Sequence, residues 1–212
     1  DGVTRIGPSA FLWCNSLTGS LSLPTTLEYI GGGGAVDIGG AFDGCHFNCE
    51  LKLPNSLKYI GHNVFASNPG YYGNLVLPEK LEYIGDGAFC NDNNLTGNLI
   101  IPQGVKAINQ NTFGGTGFNG TLQLYDGITS INQGAFNNVP LKGELTLPKN
   151  LTSVGENAFA GCDFSGELKL PKGLVSIGRN AFAGNWRLIG TLEFPDGLES
   201  IGAGAFANCR SI

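Results

Sequence analysis

The sequence predicts a repeat solenoid of the α/β type, about nine stacked coils of 23–24 residues, and three observations carry that prediction. The first is a recurring tetrapeptide, L-x-L-P. It falls at 21–24, 51–54, 75–78, 99–102, 122–125, 145–148, 168–171 and 192–195, with fourth positions 30, 24, 24, 23, 23, 23 and 24 residues apart. The second is a phenylalanine series, Phe11, Phe42, Phe65, Phe89, Phe113, Phe136, Phe159, Phe182 and Phe206, whose steps of 31, 23, 24, 24, 23, 23, 23 and 24 keep the same period. The third is glycine, 34 of 212 residues, about double ordinary usage, which a corner repeated in every coil would consume. A fixed period of this length is the signature of stacked supersecondary units.

The unit reads G-x-L-x-L-P-x-x-L-x-x-I-G-x-x-A-F-x-x-C-x-x-L, and its elements follow in order. L-x-L alternates with period two, as a short strand with one buried face does, and proline ends it because it has no N–H to give. L-x-x-I is a second short extended or turning segment. Two residues before each phenylalanine stand Ser9, Gly40, Asn63, Gly87, Asn111, Gly134, Asn157, Asn180 and Gly204. Eight of these nine are Gly or Asn, the residues that accept positive φ at least cost, so a left-handed corner is expected there. Three residues after each phenylalanine, Cys14, Cys45, Asn68, Asp92, Thr116, Val139, Cys162, Asn185 and Cys209 form a column of mostly small residues. The apolar residues of one unit, such as Leu168, Leu170, Leu174, Ile177, Ala181 and Phe182, cannot be buried within it and must stack on their copies. Parallel coils about 4.8 Å apart, nine of them, would span on the order of 40 Å. The one long step places a loop insertion at about 31–39.

This consensus resembles the BspA-like, Treponema-type leucine-rich repeats, and the resemblance covers nearly the whole chain, from Val3 to Cys209. Departures are Tyr125 for proline, Asn109 and Asn132 for the first glycine, and the insertion. The resemblance implies a right-handed leucine-rich-repeat superhelix with a parallel sheet of L-x-L strands on one face and turns or short helical segments on the other. It also implies a surface-associated adhesion role. No domain boundary or linker is evident, so 1–212 is expected to be one solenoid. The chain starts without methionine and stops inside a repeat, as a segment of a longer protein would.

A net charge of −5 argues against nucleic acid and anionic membrane surfaces, and no apolar run is long enough to insert into a bilayer. His46 and His62 sit in no catalytic motif, so no enzymatic activity is expected. No cofactor is called for. Free core thiols are the expected state of the column cysteines. A metal cluster of Cys45, His46, Cys49 and His62 lacks paired C-x-x-C spacing and is set aside. Oligomeric state is not legible.

Function is left to the outward positions. The middle residues of L-x-L, including Lys52, Val76, Ile100 and Gln123, should face solvent, with Val76 and Ile100 as adjacent apolar residues flanked by Tyr71, Tyr72 and Tyr125. These seven are the candidate contacts for a protein partner, from host matrix or a cell surface, or for a glycan. The bland alternative is that isolated exposed apolar residues need no explanation. Tyr29, Tyr59 and Tyr83 recur in consecutive coils as an aromatic ladder, which either stabilises those coils, the preferred reading, or stacks on a ligand. The expected function is a non-enzymatic, extracellular or cell-surface binding module. Its rival is a rigid spacer or assembly scaffold presenting another domain.

Overall fold

A computed structural model of the protein describes residues 2–31 and 39–212. The expected insertion falls mostly at 32–38, outside the described residues. The rest is a parallel-strand β-solenoid of about eight turns. The expected nine becomes about eight because nine phenylalanine corners bound eight closed coils. Among the described residues there is no helix, which corrects the α/β expectation. The physical reason lies at the phenylalanine corner. It holds two left-handed residues per coil, one before the phenylalanine and one after, and a helix cannot run through either.

The first of these is the corner expected from sequence: Asn63, Gly87, Asn111, Gly134, Asn157, Asn180 and Gly204 have φ between 51° and 68°, and Ser9 has 54°. Gly40 is the exception and is not left-handed. The second, two residues past the phenylalanine, was hidden by mixed composition: Trp13, Gly44, Ser67, Asn91, Gly115, Asn138, Gly161, Gly184 and Asn208 all have positive φ. Between the two, the phenylalanine N–H reaches the next coil, as in Phe65 to Ala88 O and Phe159 to Ala181 O, at 2.9 and 2.8 Å. The turns therefore form an inter-coil ladder of their own.

The main sheets also differ from expectation. Strands occupy L-x-x-I, not chiefly L-x-L. Arg5–Ile6, Tyr29–Ile30, Tyr59–Ile60 and Tyr83–Ile84 form one parallel sheet, and Ala107–Ile108 through Ser200–Ile201 form a second of five strands. Equivalent residues pair, Tyr29 with Tyr59 and Tyr59 with Tyr83. A further set of strands, such as Tyr71–Asn74 and Asp163–Glu167, precedes L-x-L. Within L-x-L itself, the parallel pair among the described residues is Leu99–Ile100 with Leu122–Gln123. Each L-x-L is short, bounded by a turn residue and by proline, so few N–H groups remain to build a ladder there. The proline carbonyl instead closes a turn, as in Leu81 N to Pro78 O at 3.0 Å, and Tyr125 does the same for Ile128 at 3.1 Å. That equivalence is why tyrosine can replace proline.

The core is a single continuous cluster. Nine phenylalanine rings stack face to face from Phe11 to Phe206, with neighbouring centroids 5.1–5.8 Å apart. A second inward row, which includes Phe47, Phe118 and Phe164, meets them edge-on at 73–77°. Close backbone approach explains the glycine of I-G: a Cβ on Gly178 would lie 2.5 Å from the Gly155 carbonyl carbon and from Glu156 N.

Candidate functional site

The in-out alternation of L-x-L holds although the ladder does not. Leu75 and Leu77 are buried while Val76 between them is 69% exposed; Leu99 and Ile101 are buried while Ile100 is 51% exposed. Lys52 and Gln123 also face solvent. Depressions open on this face between the L-x-L segments of adjacent coils. One, of about 650 Å³, is lined by Lys52, Asn55, Asn74, Val76, Leu77 and Glu79. The next, of about 530 Å³, is lined by Leu77, Glu79, Ile100, Gln103, Gln123 and Tyr125. Leu77 and Glu79 line both, so the two form one furrow with Val76 and Ile100 along it. The Gln123 amide donates to the Tyr125 hydroxyl at 2.8 Å and so fixes the half-buried ring at the furrow's end.

Local charge on this face is largely self-compensated. Lys52 lies 3.7 Å from Glu50, and Lys169 lies 3.7 Å from Glu167 beside a further depression of about 350 Å³. Both pairs are well exposed, so each contributes about 0–1 kcal/mol to stability. Asp126 accepts the Lys149 backbone N–H and meets its ammonium, each at 3.0 Å, and these contacts hold the Asp126 carboxyl below the usual range.

The furrow brings together Lys52, Val76, Ile100, Gln123 and Tyr125, five of the seven residues expected from sequence. Tyr72 is exposed and pairs beside Glu50, but lines neither depression. Tyr71 is a correction: it is fully buried, stacked near Phe47 and edge-on to Phe65. It occupies the final apolar position of the repeat, three residues after Asn68, as Leu95 does after Asp92. That register was present in the consensus and identifies it as a core residue. Conversely, Glu79 and Gln103 line the furrow without having been singled out. Their signal was their place directly after Pro78 and Pro102.

The tyrosine ladder forms as the spacing implied. Tyr29 and Tyr59 rings lie 4.4 Å apart and Tyr59 and Tyr83 rings 4.6 Å apart, and the Arg5 guanidinium covers the outer face of Tyr29 at 3.9 Å. The ring faces are thus largely occupied by one another. His62 stands at the end of the ladder, its Nε2 3.5 Å from the Tyr83 hydroxyl and its Nδ1 3.3 Å from an Asp86 carboxylate oxygen. Burial pushes the Tyr83 phenol up, the opposite of what an activated nucleophile needs.

Cysteine geometry separates the metal candidates. Cys45 and Cys49 point inward while His46 between them is exposed, and His62 is engaged elsewhere. Among the described residues no group of three or more His, Cys, Asp or Glu side chains is placed to hold a metal ion. All six cysteines are free thiols, and Cys14 is exposed rather than in the core. Cys45 donates its S–H to the Phe11 carbonyl at 3.1 Å, and burial pushes the Cys45 and Cys162 thiols up. No helix among the described residues is long and apolar enough to cross a membrane.

Comparison with known proteins agrees with this architecture. The family described as BspA type Leucine rich repeat region (6 copies) matches residues 4–142 and 97–212. None of the curated proteins matches the chain. Among solved structures, a leucine rich cell surface protein from Faecalibacterium prausnitzii is similar with a TM-score of 0.60 at 23% identity, over 100% of this chain and 62% of that one. The chain therefore spans less than two thirds of that relative's length. A leucine-rich repeat protein from Bacteroides ovatus gives 0.44 at 23% identity, over 99% of this chain and 69% of that one. The T. pallidum leucine rich repeat protein gives 0.44 at 24% identity, over 99% and 72% respectively.

Proposed function

The chain belongs to the BspA-type leucine-rich repeat family, and from that premise we propose that it is a non-enzymatic binding module of the cell surface or extracellular space, engaging a protein partner through its L-x-L face. The observation that carries this reading is the furrow: two aliphatic side chains, Val76 and Ile100, stand exposed in adjacent coils, each beside a depression that shares Leu77 and Glu79 with the other. An apolar centre with a polar rim is the usual anatomy of a protein interface. A protein is favoured over a glycan because the anchors are aliphatic, whereas the stacked tyrosines have little free ring face to offer a sugar. The ladder of Tyr29, Tyr59 and Tyr83 is accordingly read as a stabiliser of its coils. The surface location draws support from the Faecalibacterium neighbour, which is described as a cell surface protein.

The test is retention of immobilised host matrix proteins by the wild type and by a Val76→Glu, Ile100→Glu double variant. Loss of two anchor residues should weaken binding by about tenfold or more. Equal retention by both proteins would sink the furrow as the site and return the solenoid to the role of spacer or assembly scaffold. Binding that survives in the double variant but is competed by soluble oligosaccharide would shift the partner to a glycan.

A further inference from the structure

The column three residues after each phenylalanine faces the carbonyl oxygens of the corner, and six of its polar members donate hydrogen bonds to them. Cys45, Cys162 and Cys209 donate S–H to the Phe11, Phe136 and Phe182 carbonyls at 3.1, 3.3 and 3.2 Å. Thr116 donates its hydroxyl to Phe113 O at 2.7 Å. The two asparagines bridge coils: Asn68 Nδ2 reaches Phe65 O at 2.8 Å and Phe42 O at 3.0 Å, and Asn185 Nδ2 reaches Phe182 O and Phe159 O, both at 2.8 Å.

Asp92 stands in this column between Asn68 and Thr116, fully buried. Its Oδ1 accepts the Asn68 backbone N–H at 2.9 Å, and its Oδ2 has no hydrogen-bond partner. An ionised carboxylate has nothing to donate at a position where every polar neighbour donates. A buried carboxylate without a cation is also costly, and the titratable groups around Asp92 are Asp43, Tyr71 and Cys90, with Cys45 and Cys49 beyond Tyr71. None of them is positive.

We infer that Asp92 is a neutral carboxylic acid in the folded protein, that its Oδ2 proton serves the phenylalanine carbonyls as the asparagine amides do, and that the stack is consequently proton-dependent. Burial holds the Asp92 carboxyl well above the usual carboxylate range; the Asn68 N–H opposes this and Asp43 reinforces it. The sign of the linkage follows. The unfolded chain releases this proton near pH 3.9, the folded chain keeps it to higher pH, and between those values the folded state binds more protons. The contribution of Asp92 to stability is therefore complete at acid pH and is lost as pH rises through the folded value, by about tenfold in the folding equilibrium constant per pH unit within the window. Asp92 lies in the chain between Val76 and Ile100, so the weakening is placed in the coil behind the furrow.

Urea midpoints of the wild type and of Asp92→Asn, from about pH 5 to about pH 8, test the inference. Asparagine supplies a permanent donor, so the variant should lose the downward slope and exceed the wild type at the upper end. Parallel slopes, or a variant weaker than the wild type at the upper end, would overturn it. Asp43→Asn separates the two carboxyls: burial also raises Asp43 and Asp43 reinforces the Asp92 shift, so this variant should reduce the slope without abolishing it, whereas a slope lost entirely in Asp43→Asn would overturn the assignment to Asp92. Carboxyl-carbon NMR of the wild type needs no variant. One aspartate that keeps its proton to higher pH than the others is expected, and all aspartates ionising together in the ordinary carboxylate range would refute the inference.

Discussion

Replacing Phe159 by alanine removes a ring from the middle of the stack. Phe159 is fully buried, with Phe136 at 5.3 Å on one face, Phe182 at 5.4 Å on the other and Phe164 edge-on at 6.0 Å. Truncating a buried phenylalanine costs about 3–5 kcal/mol through lost transfer free energy and the cavity left behind. Three aromatic contacts, each worth about 0.5–1.5 kcal/mol beyond burial, put this site near the top of that range. The collapse that could relieve the cavity is resisted, because both neighbouring rings are held by turns laddered to the next coil. Phe11→Ala is the internal standard: that ring is 39% exposed and has one stacked neighbour, Phe42 at 5.1 Å. Its loss should cost roughly 1–2 kcal/mol on the same area and pair arithmetic. Urea denaturation reads both. Because each coil touches only its neighbours, the Phe159 variant should also broaden or split the transition, with a lower m-value. Equal costs for the two variants, or a Phe159→Ala cost below about 1.5 kcal/mol, would mean that the stack is not the source of the cohesion argued here.

Two further substitutions probe the corner and the close approach of coils. Asn185→Ala removes the amide donor that bridges the Phe159 and Phe182 carbonyls, leaving them only longer contacts of 3.2–3.4 Å, and should cost about 1–3 kcal/mol, while Asn185→Cys, which copies Cys162 and Cys209, should recover part of that; thermal denaturation distinguishes them. Gly178→Ala drives a Cβ into the backbone of the preceding coil and should destabilise by more than about 2 kcal/mol, whereas Gly173→Ala meets nothing within 4 Å and should be neutral or stabilising by up to about 1 kcal/mol. A comparison of their melting temperatures suffices, and equal shifts would refute the packing argument.

Much of the architecture was legible because a repeat reports its own constraints many times over. One phenylalanine in an apolar segment says little, but nine at a constant step can only be a stack, and Asn or Gly two residues before them can only be a corner. The L-x-L alternation likewise identified Val76 and Ile100 as outward. Period two marks which side chains face in, yet it does not say whether the backbone of that segment bonds to its neighbours, so the sheets fell on L-x-x-I instead. Tyr71 belongs to the core through repeat register, three residues after Asn68, although the adjacent Tyr71-Tyr72 pair before a strand looks outward when read locally.

The sequence by itself determined the period, the parallel stacking, the buried rows and the outward face, since each follows from the spacing of apolar and turn residues along the chain. Tertiary structure decided what depends on neighbouring coils in space. It set which segments are tied by ladder bonds, and where the furrow opens beside Val76 and Ile100. It set which tyrosine faces are already covered. It also placed Asp92 at a donor's position with nothing positive around it, a matter of three-dimensional surroundings that no spacing along one chain can express.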